Sequence, residues 1–207
     1  RDKMPTQGMM KFDVFKQVLQ RCKELPILPV AKACGTGEPL IHPQSVEFVR
    51  YATEQGFDFN ITTNASLLTP EKSKALFDAG LTQLNLSVSA TGQLYNQIYS
   101  LEFDTVRRNI VAAVEQNPGI CKIMLTIVEF DGNRGQVEEI KSYWKNLGIK
   151  RFNINHVHNR GGYAEQFCQD ASNTEREEDA FQILAENKMS HLSMIPYIFV
   201  MIDKDTE

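Results

Sequence analysis

Residues 83–128 contain one complete strand–helix–strand unit, from QLNLSV at 83–88 to CKIMLTIV at 121–128. The first segment alternates polar and apolar residues, as a strand with one buried face does. Between the two segments, Val106, Ile110 and Val114 recur at helical spacing over residues 103–114. A strand, a helix and a second strand in this order predict a βαβ unit with parallel strands.

The same unit recurs on both sides of residues 83–128. Three further segments are predicted as strands: ILPVAKAC at 27–34, FDFNIT at 57–62 and RFNINHV at 151–157. Helical periodicity or helix-capping residues separate them, at residues 12–25, 43–55, 69–80 and 136–147. Five strands alternating with helices, at a period of about 30 residues, predict an α/β fold with a parallel sheet.

Polar residues recur on one face of the predicted strands. They are Asn60, Thr62, Asn85, Ser87, Asn153 and Asn155. An open doubly wound sheet buries both faces against helices, where unpaired amides are costly. A barrel or partial barrel with a wet interior explains these residues better. In either architecture the chemistry is expected at the C-terminal ends of the strands.

The strand ends carry small and amide residues with one carboxylate. Gly35-Thr36-Gly37-Glu38 follows the first strand, and Thr63-Asn64 follows the second. The glycine loop lacks the remaining residues of a dinucleotide or Walker phosphate motif, and Glu38 would repel a phosphate. A carboxylate beside open backbone amides instead suits a ligand with an amine and a carboxylate, as in an amino-acid head group.

Three segments in this order resemble the radical S-adenosylmethionine (radical SAM) enzymes. They are GTGEPLIHP at 35–43, ITTNASLL at 61–68 and LSVSA at 86–90. The resemblance implies a partial (βα)6 TIM-like barrel over residues 1–163, with strands 2–6 present and the first strand missing. It also implies that a [4Fe–4S] cluster reductively cleaves SAM to a 5′-deoxyadenosyl radical, which abstracts a substrate hydrogen. We expect a peptide or natural-product intermediate as substrate, and flavodoxin or ferredoxin as electron donor.

The resemblance also assigns roles to individual residues. Gly35, Gly37 and Glu38 fall on the motif that receives the SAM amino group, and Thr63 and Asn64 match the next strand end. Ser87 and Ser89 correspond to hydroxyls that contact the SAM carboxylate or ribose. Asn155, at the end of the fifth strand, completes the predicted cofactor-binding set. The chain departs from the family pattern where Ala65 replaces a usual glycine and where Tyr99-Ser100-Leu101 offers no arginine.

No CxxxCxxC sequence is present, so we expect the cluster ligands to lie outside this chain and predict no metal ligands within it. Four cysteines are scattered, at Cys22, Cys34, Cys121 and Cys168, which favours buried structural thiols. The fragment alone is therefore expected to be unable to cleave SAM. Without a first strand, the edge of strand 27–34 is expected to be exposed and prone to aggregation.

Residues 164–207 are predicted to form a linker, a helix and the first strand of a SPASM or twitch-type α+β extension. The segment MIPYIFVMID at 194–203 resembles that strand. In the family this extension carries auxiliary iron–sulfur clusters, so one or more such clusters are expected. A plain edge strand is the alternative.

Composition excludes several other classes. The chain has 22 Lys and Arg residues and 26 Asp and Glu residues, which gives a formal net charge of −4. A nucleic-acid-binding domain usually carries an excess of basic residues, so this class is not favoured. The longest apolar run, IPYIFVMI at 195–202, is too short to span a membrane. With no leader at the start of the sequence, a cytoplasmic location is expected. Two alternative functions stay open. The first is a SAM-binding or inactive barrel module without a cluster. The second is an aldolase-type enzyme, which needs a Schiff-base lysine at a C-terminal strand end, whereas Lys32 and Lys122 lie near the other ends of their strands.

The histidines and the single tryptophan are given structural roles first. His42 is expected to cap the following helix, and Trp144 is expected in the core. His156 and His158 alternate at the end of the fifth strand, where substrate contact is favoured over a two-histidine metal site.

Overall fold

The computed structural model describes residues 9–25, 29–34, 37–156, 190–193 and 198–202. Its helices alternate with strands through residue 156. The helices are α1 Phe12–Cys22, α2 Ser45–Glu54, α3 Pro70–Asp78, α4 Gly92–Tyr99, α5 Phe103–Gln116 and α6 Val137–Asn146. The strands are β1 Val30–Ala33, β2 Asp58–Thr63, β3 Gln83–Ser87, β4 Lys122–Glu129, β5 Phe152–His156, β6 Ser190–Ser193 and β7 Ile198–Ile202.

The first five strands form a parallel sheet in the order β5-β4-β3-β2-β1. Each consecutive pair is parallel, so the C-terminal ends of all five strands lie at one edge. This confirms the α/β fold with five parallel strands. The sequence reasoning missed α4 and a single 3-10 turn at Pro39–Ile41, because both are short and carry no apolar stripe long enough to detect.

Helix α3 shows how the chain fixes its helix ends locally. The Thr69 hydroxyl oxygen accepts a hydrogen bond from the Lys72 amide at 3.2 Å, and Pro70 occupies the first helical position. Gly80 follows the helix with φ of +91°, a conformation that favours glycine. A Cβ at Gly80 would also meet the Thr53 hydroxyl oxygen at 3.0 Å. The predicted cap and stop residues are thus confirmed.

One face of the sheet packs against the helices and forms the core. Phe15 of α1 lies with its ring centroid 4.5 Å from that of Phe48 on α2 and 6.2 Å from that of Phe59 on β2. Trp144 is fully buried, 5.9 Å from Phe103, which confirms its expected place in the core. Each buried side chain of this size contributes about 1.5–3 kcal/mol relative to exposure.

The other face, called the polar face here, carries the alternate residues of β1–β5. Its members are Val30, Lys32, Asp58, Asn60, Thr62, Gln83, Asn85, Ser87, Lys122, Met124, Thr126, Val128, Asn153 and Asn155. The register confirms that the asparagines, Thr62 and Ser87 share one face. Side-chain hydrogen bonds satisfy part of it: Gln83 Nε2 donates to Asn85 Oδ1 at 2.8 Å, and Asn85 Nδ2 to Thr62 Oγ1 at 3.4 Å.

The second edge of β1 is paired in this structure. Strands β6 and β7 form an antiparallel pair, and β7 pairs antiparallel with β1, with Lys32 opposite Phe199. The expectation that strand 27–34 has an exposed edge is therefore wrong, since the β7 backbone supplies the missing ladder partners. The strand predicted within 194–203 is confirmed at Ile198–Ile202, whereas its assignment to a SPASM-type extension stays a prediction. Residues 164–189 lie outside the described residues.

No helix in the part of the chain that the structure describes has the length and apolar character needed to cross a membrane.

Candidate active site at the C-terminal strand ends

Glu38 is held in place by three hydrogen-bond donors from two segments of the chain. Its Oε1 accepts from the Leu40 amide at 3.0 Å and from the Thr63 hydroxyl at 2.7 Å. Its Oε2 accepts from the Asn64 amide at 2.9 Å. A carboxylate has about four lone-pair sites, so the donors among the described residues leave one acceptor position on Oε2 for an incoming donor.

The local fold explains this arrangement. Glu38 is the N-cap of the 3-10 turn at Pro39–Ile41, which places its carboxylate over the Leu40 amide. Thr63 is the last residue of β2, and the parallel pairing of β1 with β2 brings both strand ends to the same level. Thr63 is only 1% exposed. Its hydroxyl donates to Glu38 and accepts from the Ala65 amide at 3.0 Å, so Thr63 positions the carboxylate.

The turn after β2 is fixed from both sides. Asn64 Oδ1 accepts from the Ser66 amide at 2.9 Å and from its hydroxyl at 2.7 Å. Asn109 of α5 donates from Nδ2 to the Ala65 carbonyl at 2.8 Å. Ala65 has φ of +61°, in the left-handed region where glycine is favoured. The backbone thus adopts the conformation expected for a glycine at this position, although alanine occupies it.

Ser89, just beyond β3, is tied to three other segments. Its amide donates to the Tyr99 hydroxyl at 3.1 Å, and its Oγ accepts from the Val128 amide at 3.0 Å. Its carbonyl accepts from Asn133 Nδ2 at 2.7 Å. Ser89 is 2% exposed, so its contacts in this structure are with the protein.

Asn133 and Asn109 were missed in the sequence reasoning. Asn133 is fully buried and also donates to the Val128 carbonyl at 2.9 Å and accepts from the Phe130 amide at 2.8 Å. A lone asparagine in a polar loop or on a helix carries no sequence signal that separates a buried network from a solvated surface.

The remaining predicted residues are placed separately. Gly37 lies directly before Glu38, and Ser87 ends β3 on the polar face with a partly exposed side chain. Asn155 lies two strands further along, exposed, with its Oδ1 accepting from Asn153 Nδ2 at 3.2 Å. The structure therefore joins Glu38, Thr63 and Asn64 by hydrogen bonds, but not Asn155. Gly35 lies outside the described residues.

Two stacked tyrosines lie behind the strand ends. The rings of Tyr95 and Tyr99 are 4.5 Å apart with an interplanar angle of 25°. Burial raises the pKa of both phenols, and the nearby Tyr99 and Glu38 raise that of Tyr95 further. Both phenols are therefore neutral at pH 7; the Tyr99 hydroxyl accepts a hydrogen bond, whereas the buried Tyr95 hydroxyl has no partner among the described residues. Tyr99 stands where the family resemblance suggested an arginine, and it supports the Ser89 backbone instead.

The described cysteines do not converge. Cys22 ends α1, Cys34 follows β1 at the C-terminal edge, and Cys121 precedes β4 at the opposite edge of the sheet. Burial raises the pKa of the Cys121 thiol to about 12. Among the described residues, no three His, Cys, Asp or Glu side chains are grouped as metal ligands. Cys168 and His158 lie outside those residues.

His42 does not cap α2 as expected, because the N-cap of that helix is Gln44 and no described side chain caps it. The His42 Nδ1 accepts from the Gln44 amide at 3.1 Å, directly before α2, and its Nε2 lies 2.9 Å from the Met10 carbonyl oxygen. Because Nδ1 accepts from the Gln44 amide, the proton is assigned to Nε2, which donates to the Met10 carbonyl and ties residue 10 to the loop after Glu38.

Comparison with known proteins decides the family. The model of the radical SAM superfamily matches residues 3–128, which include Glu38 and the ends of β1 to β3. The chain belongs to the radical SAM superfamily. Its five parallel strands and intervening helices match the partial TIM-like barrel of solved members. One of these, Streptococcus suis SuiB bound to its precursor peptide SuiA, has a TM-score of 0.68 at 18% identity, covering 88% of this chain and 41% of that chain.

Two curated relatives are similar in sequence. One is the tungsten-containing aldehyde ferredoxin oxidoreductase cofactor-modifying protein of Pyrococcus furiosus, 28% identical over 149 residues, or 69% of this chain and 42% of the relative. The other is the PqqA peptide cyclase of Rhodopseudomonas palustris, 40% identical over 75 residues, or 36% of this chain and 19% of the relative. The chain thus spans less than half the length of these two relatives.

Proposed function

We propose that this chain is the core of a radical SAM enzyme that abstracts a hydrogen atom from a peptide or a natural-product intermediate. A [4Fe–4S] cluster, which we propose is held by residues outside this chain, would supply the electron for reductive cleavage of SAM to a 5′-deoxyadenosyl radical. A flavodoxin or ferredoxin is the proposed electron donor. An extension over residues 164–207 with auxiliary clusters, and a cytoplasmic location, belong to the same proposal.

The Glu38 carboxylate is the observation that carries the proposal. Its orientation is fixed before any ligand arrives, by the Leu40 amide and by the end of β2. The acceptor position left on Oε2 suits the SAM ammonium, and a charge-assisted hydrogen bond is about twice as strong as a neutral one. The residues present therefore fit the amino-acid head group of SAM.

The neighbouring strand ends supply further polar groups. Ser87 is partly exposed on the polar face and is proposed to contact the carboxylate or ribose of SAM. Asn64, after the neighbouring β2, and Asn155, two strands away on β5, are proposed as further contacts. Thr63 and Ser89 are buried and act through Glu38 and through the backbone, respectively. We therefore assign Glu38, Ser87, Asn64 and Asn155 to direct contact with SAM, and Thr63 and Ser89 to positioning the strand ends.

A peptide substrate is favoured by the relatives. PqqA peptide cyclase acts on a peptide by its name, and SuiB has been solved with its precursor peptide. SuiB has also been solved with S-adenosylmethionine, at a TM-score of 0.68 and 18% identity, covering 89% of this chain and 43% of that chain.

The test is calorimetric binding of SAM and of 5′-methylthioadenosine, which lacks the amino-acid head group. Glu38→Gln should weaken SAM binding about 10- to 100-fold, since a hydrogen bond to a charged group is worth about 1.5–3 kcal/mol. Binding of 5′-methylthioadenosine should not change. Glu47→Gln, an exposed carboxylate on α2, is the matched control. Equal SAM affinity in Glu38→Gln and the parent protein would overturn the assignment.

A second measurement separates the enzyme from an inactive SAM-binding module. The longest natural form containing these residues is reconstituted with iron and sulfide, then given SAM and dithionite. Formation of 5′-deoxyadenosine supports the enzyme, and binding without cleavage supports the module. Neither lysine weighed for the aldolase alternative lies at the Glu38 end, because Lys32 lies within β1 and Lys122 begins β4.

A further inference from the structure

A row of four polar side chains crosses the polar face below the strand ends. The register pairs Lys32 with Asn60, Asn60 with Gln83, and Gln83 with Lys122. These four residues, called the lysine row here, lie at one level on four neighbouring strands. With strands about 4.8 Å apart, the backbones of the two lysines are about 14 Å from each other. The row therefore places two cations on either side of two amides.

The ammonium groups of Lys32 and Lys122 form no polar contact with the described part of the protein. No hydrogen bond or ion pair joins either to another described residue. Lys32 is half-buried and Lys122 is exposed. Asp58, two residues before Asn60, is the one carboxylate on the polar face among the described residues, and it is exposed and forms no ion pair with Lys32. The face thus carries a net positive charge at this level.

The lysine row lies about three residues along the strands from the C-terminal ends, where SAM is proposed to bind. Asn60 precedes Thr63 by three residues on β2, and at about 3.3 Å per residue this is about 10 Å. The lysines cannot serve the SAM amino group, which needs an acceptor and is assigned to Glu38. A substrate that extends from the C-terminal strand ends into the polar face would reach this level and bring its own charge close to Lys32.

We propose that Lys32, assisted by Lys122, binds an anionic group of the substrate within the polar face. This inference rests on the proposed function, because it takes the polar face to be the substrate cavity of a SAM enzyme. Lys32 is half-buried, so a substrate that encloses it would remove hydration from its ammonium group, and an anion replaces that hydration best. Asn60 and Gln83 lie between the two lysines and add amide N–H donors for the same group. The anion is a carboxylate of an acidic peptide or a phosphate.

The test measures lysine protection by mass spectrometry. The protein is treated briefly with an amine-acetylating reagent, alone or with one of three probes: a Gly/Ser heptapeptide containing two Glu residues, the same peptide with Gln, or inorganic phosphate. Acetylation of Lys32 should fall several-fold with an anionic probe and not with the Gln peptide. Lys145, exposed on α6, is the internal control and should not change. Raising the salt concentration should weaken the protection.

Variants complete the test. Lys32→Met should weaken binding of the protecting probe about tenfold, Lys32→Arg should retain most of it, and Lys145→Met should have no effect. Protection by the Glu peptide alone identifies an acidic peptide, whereas protection by phosphate alone identifies a phosphorylated substrate. Protection by neither probe overturns the inference.

SAM binding distinguishes this inference from the proposed function. Lys32→Met should leave SAM affinity unchanged, and a loss of SAM affinity would assign the lysine row to the cofactor site and overturn the inference. If Glu38→Gln leaves SAM binding intact while Lys32 is still protected, the proposed function fails and the anion site stands.

Discussion

Replacing Asn133 with alanine should destabilise the strand ends more than any exposed substitution nearby. Asn133 is fully buried and makes three hydrogen bonds, to the Ser89 carbonyl, the Val128 carbonyl and the Phe130 amide. The alanine variant leaves all three backbone groups without this partner. A buried group left unsatisfied costs about 1–3 kcal/mol, and water that enters the new cavity recovers part of this. We expect a loss of about 3 kcal/mol in the free energy of unfolding.

The assay is urea unfolding at neutral pH, followed by the fluorescence of Trp144, the single tryptophan of the chain. Asn153→Ala is the matched control, because Asn153 is only partly buried and its side chain bonds one other side chain, Asn155. We expect the control to lose less than about 0.5 kcal/mol. The slope of the free energy against urea should stay the same in both variants, since neither changes the surface exposed on unfolding.

The aspartate variant tests the direction of the hydrogen bonds. Asn133→Asp keeps an acceptor for the Phe130 amide but turns an oxygen toward the two carbonyls. Burial and these carbonyls disfavour the charged form, so the pKa of the new carboxyl is raised in the folded protein. Its deficit relative to the parent should therefore shrink as the pH falls through that raised pKa. A loss below about 1 kcal/mol for Asn133→Ala, or an aspartate variant as stable as the alanine variant at pH 7, would refute this account.

Two further predictions concern buried groups. Thr63→Val removes the hydroxyl that donates to Glu38 and accepts from the Ala65 amide, so it should lower the free energy of unfolding by about 1–2 kcal/mol and weaken SAM binding. Thr63→Ser keeps the hydroxyl and should restore both stability and SAM binding. A valine variant that binds SAM normally would contradict the positioning role. Cys121 should be alkylated by iodoacetamide at pH 8 on the order of a hundredfold more slowly in the folded than in the urea-unfolded protein, because burial raises its pKa to about 12. The same shift stabilises the fold fully below about pH 9, and that contribution should be lost as the pH rises toward 12, a decline that Cys121→Ala should lack.

The sequence by itself determined the alternation of strands and helices. Periodicity, cap residues such as Thr69 and stop residues such as Gly80 act within a few residues, so they can be identified without knowing what each element packs against. The parallel sheet follows because helical crossovers leave few other arrangements. The polar face also follows from local information, since alternation assigns each residue of a strand to one side. Glu38 could also be identified from local information, because it is the one carboxylate in the glycine loop Gly35-Thr36-Gly37-Glu38.

Tertiary structure decided how these pieces become a site. The Thr63 hydroxyl meets Glu38 across 25 positions of sequence, and Asn133 meets Ser89 across 44. Sequence reasoning predicted Thr63 and Ser89 as ligand contacts. Only the folded chain shows that the Thr63 hydroxyl bonds Glu38, and that Ser89 bonds Tyr99, Val128 and Asn133. The pairing of β7 with β1 and the alignment of Lys32 with Lys122 likewise depend on register between distant segments. Local patterns specify which face a side chain takes, whereas its hydrogen-bond partner depends on which distant atoms the completed sheet brings within about 3 Å.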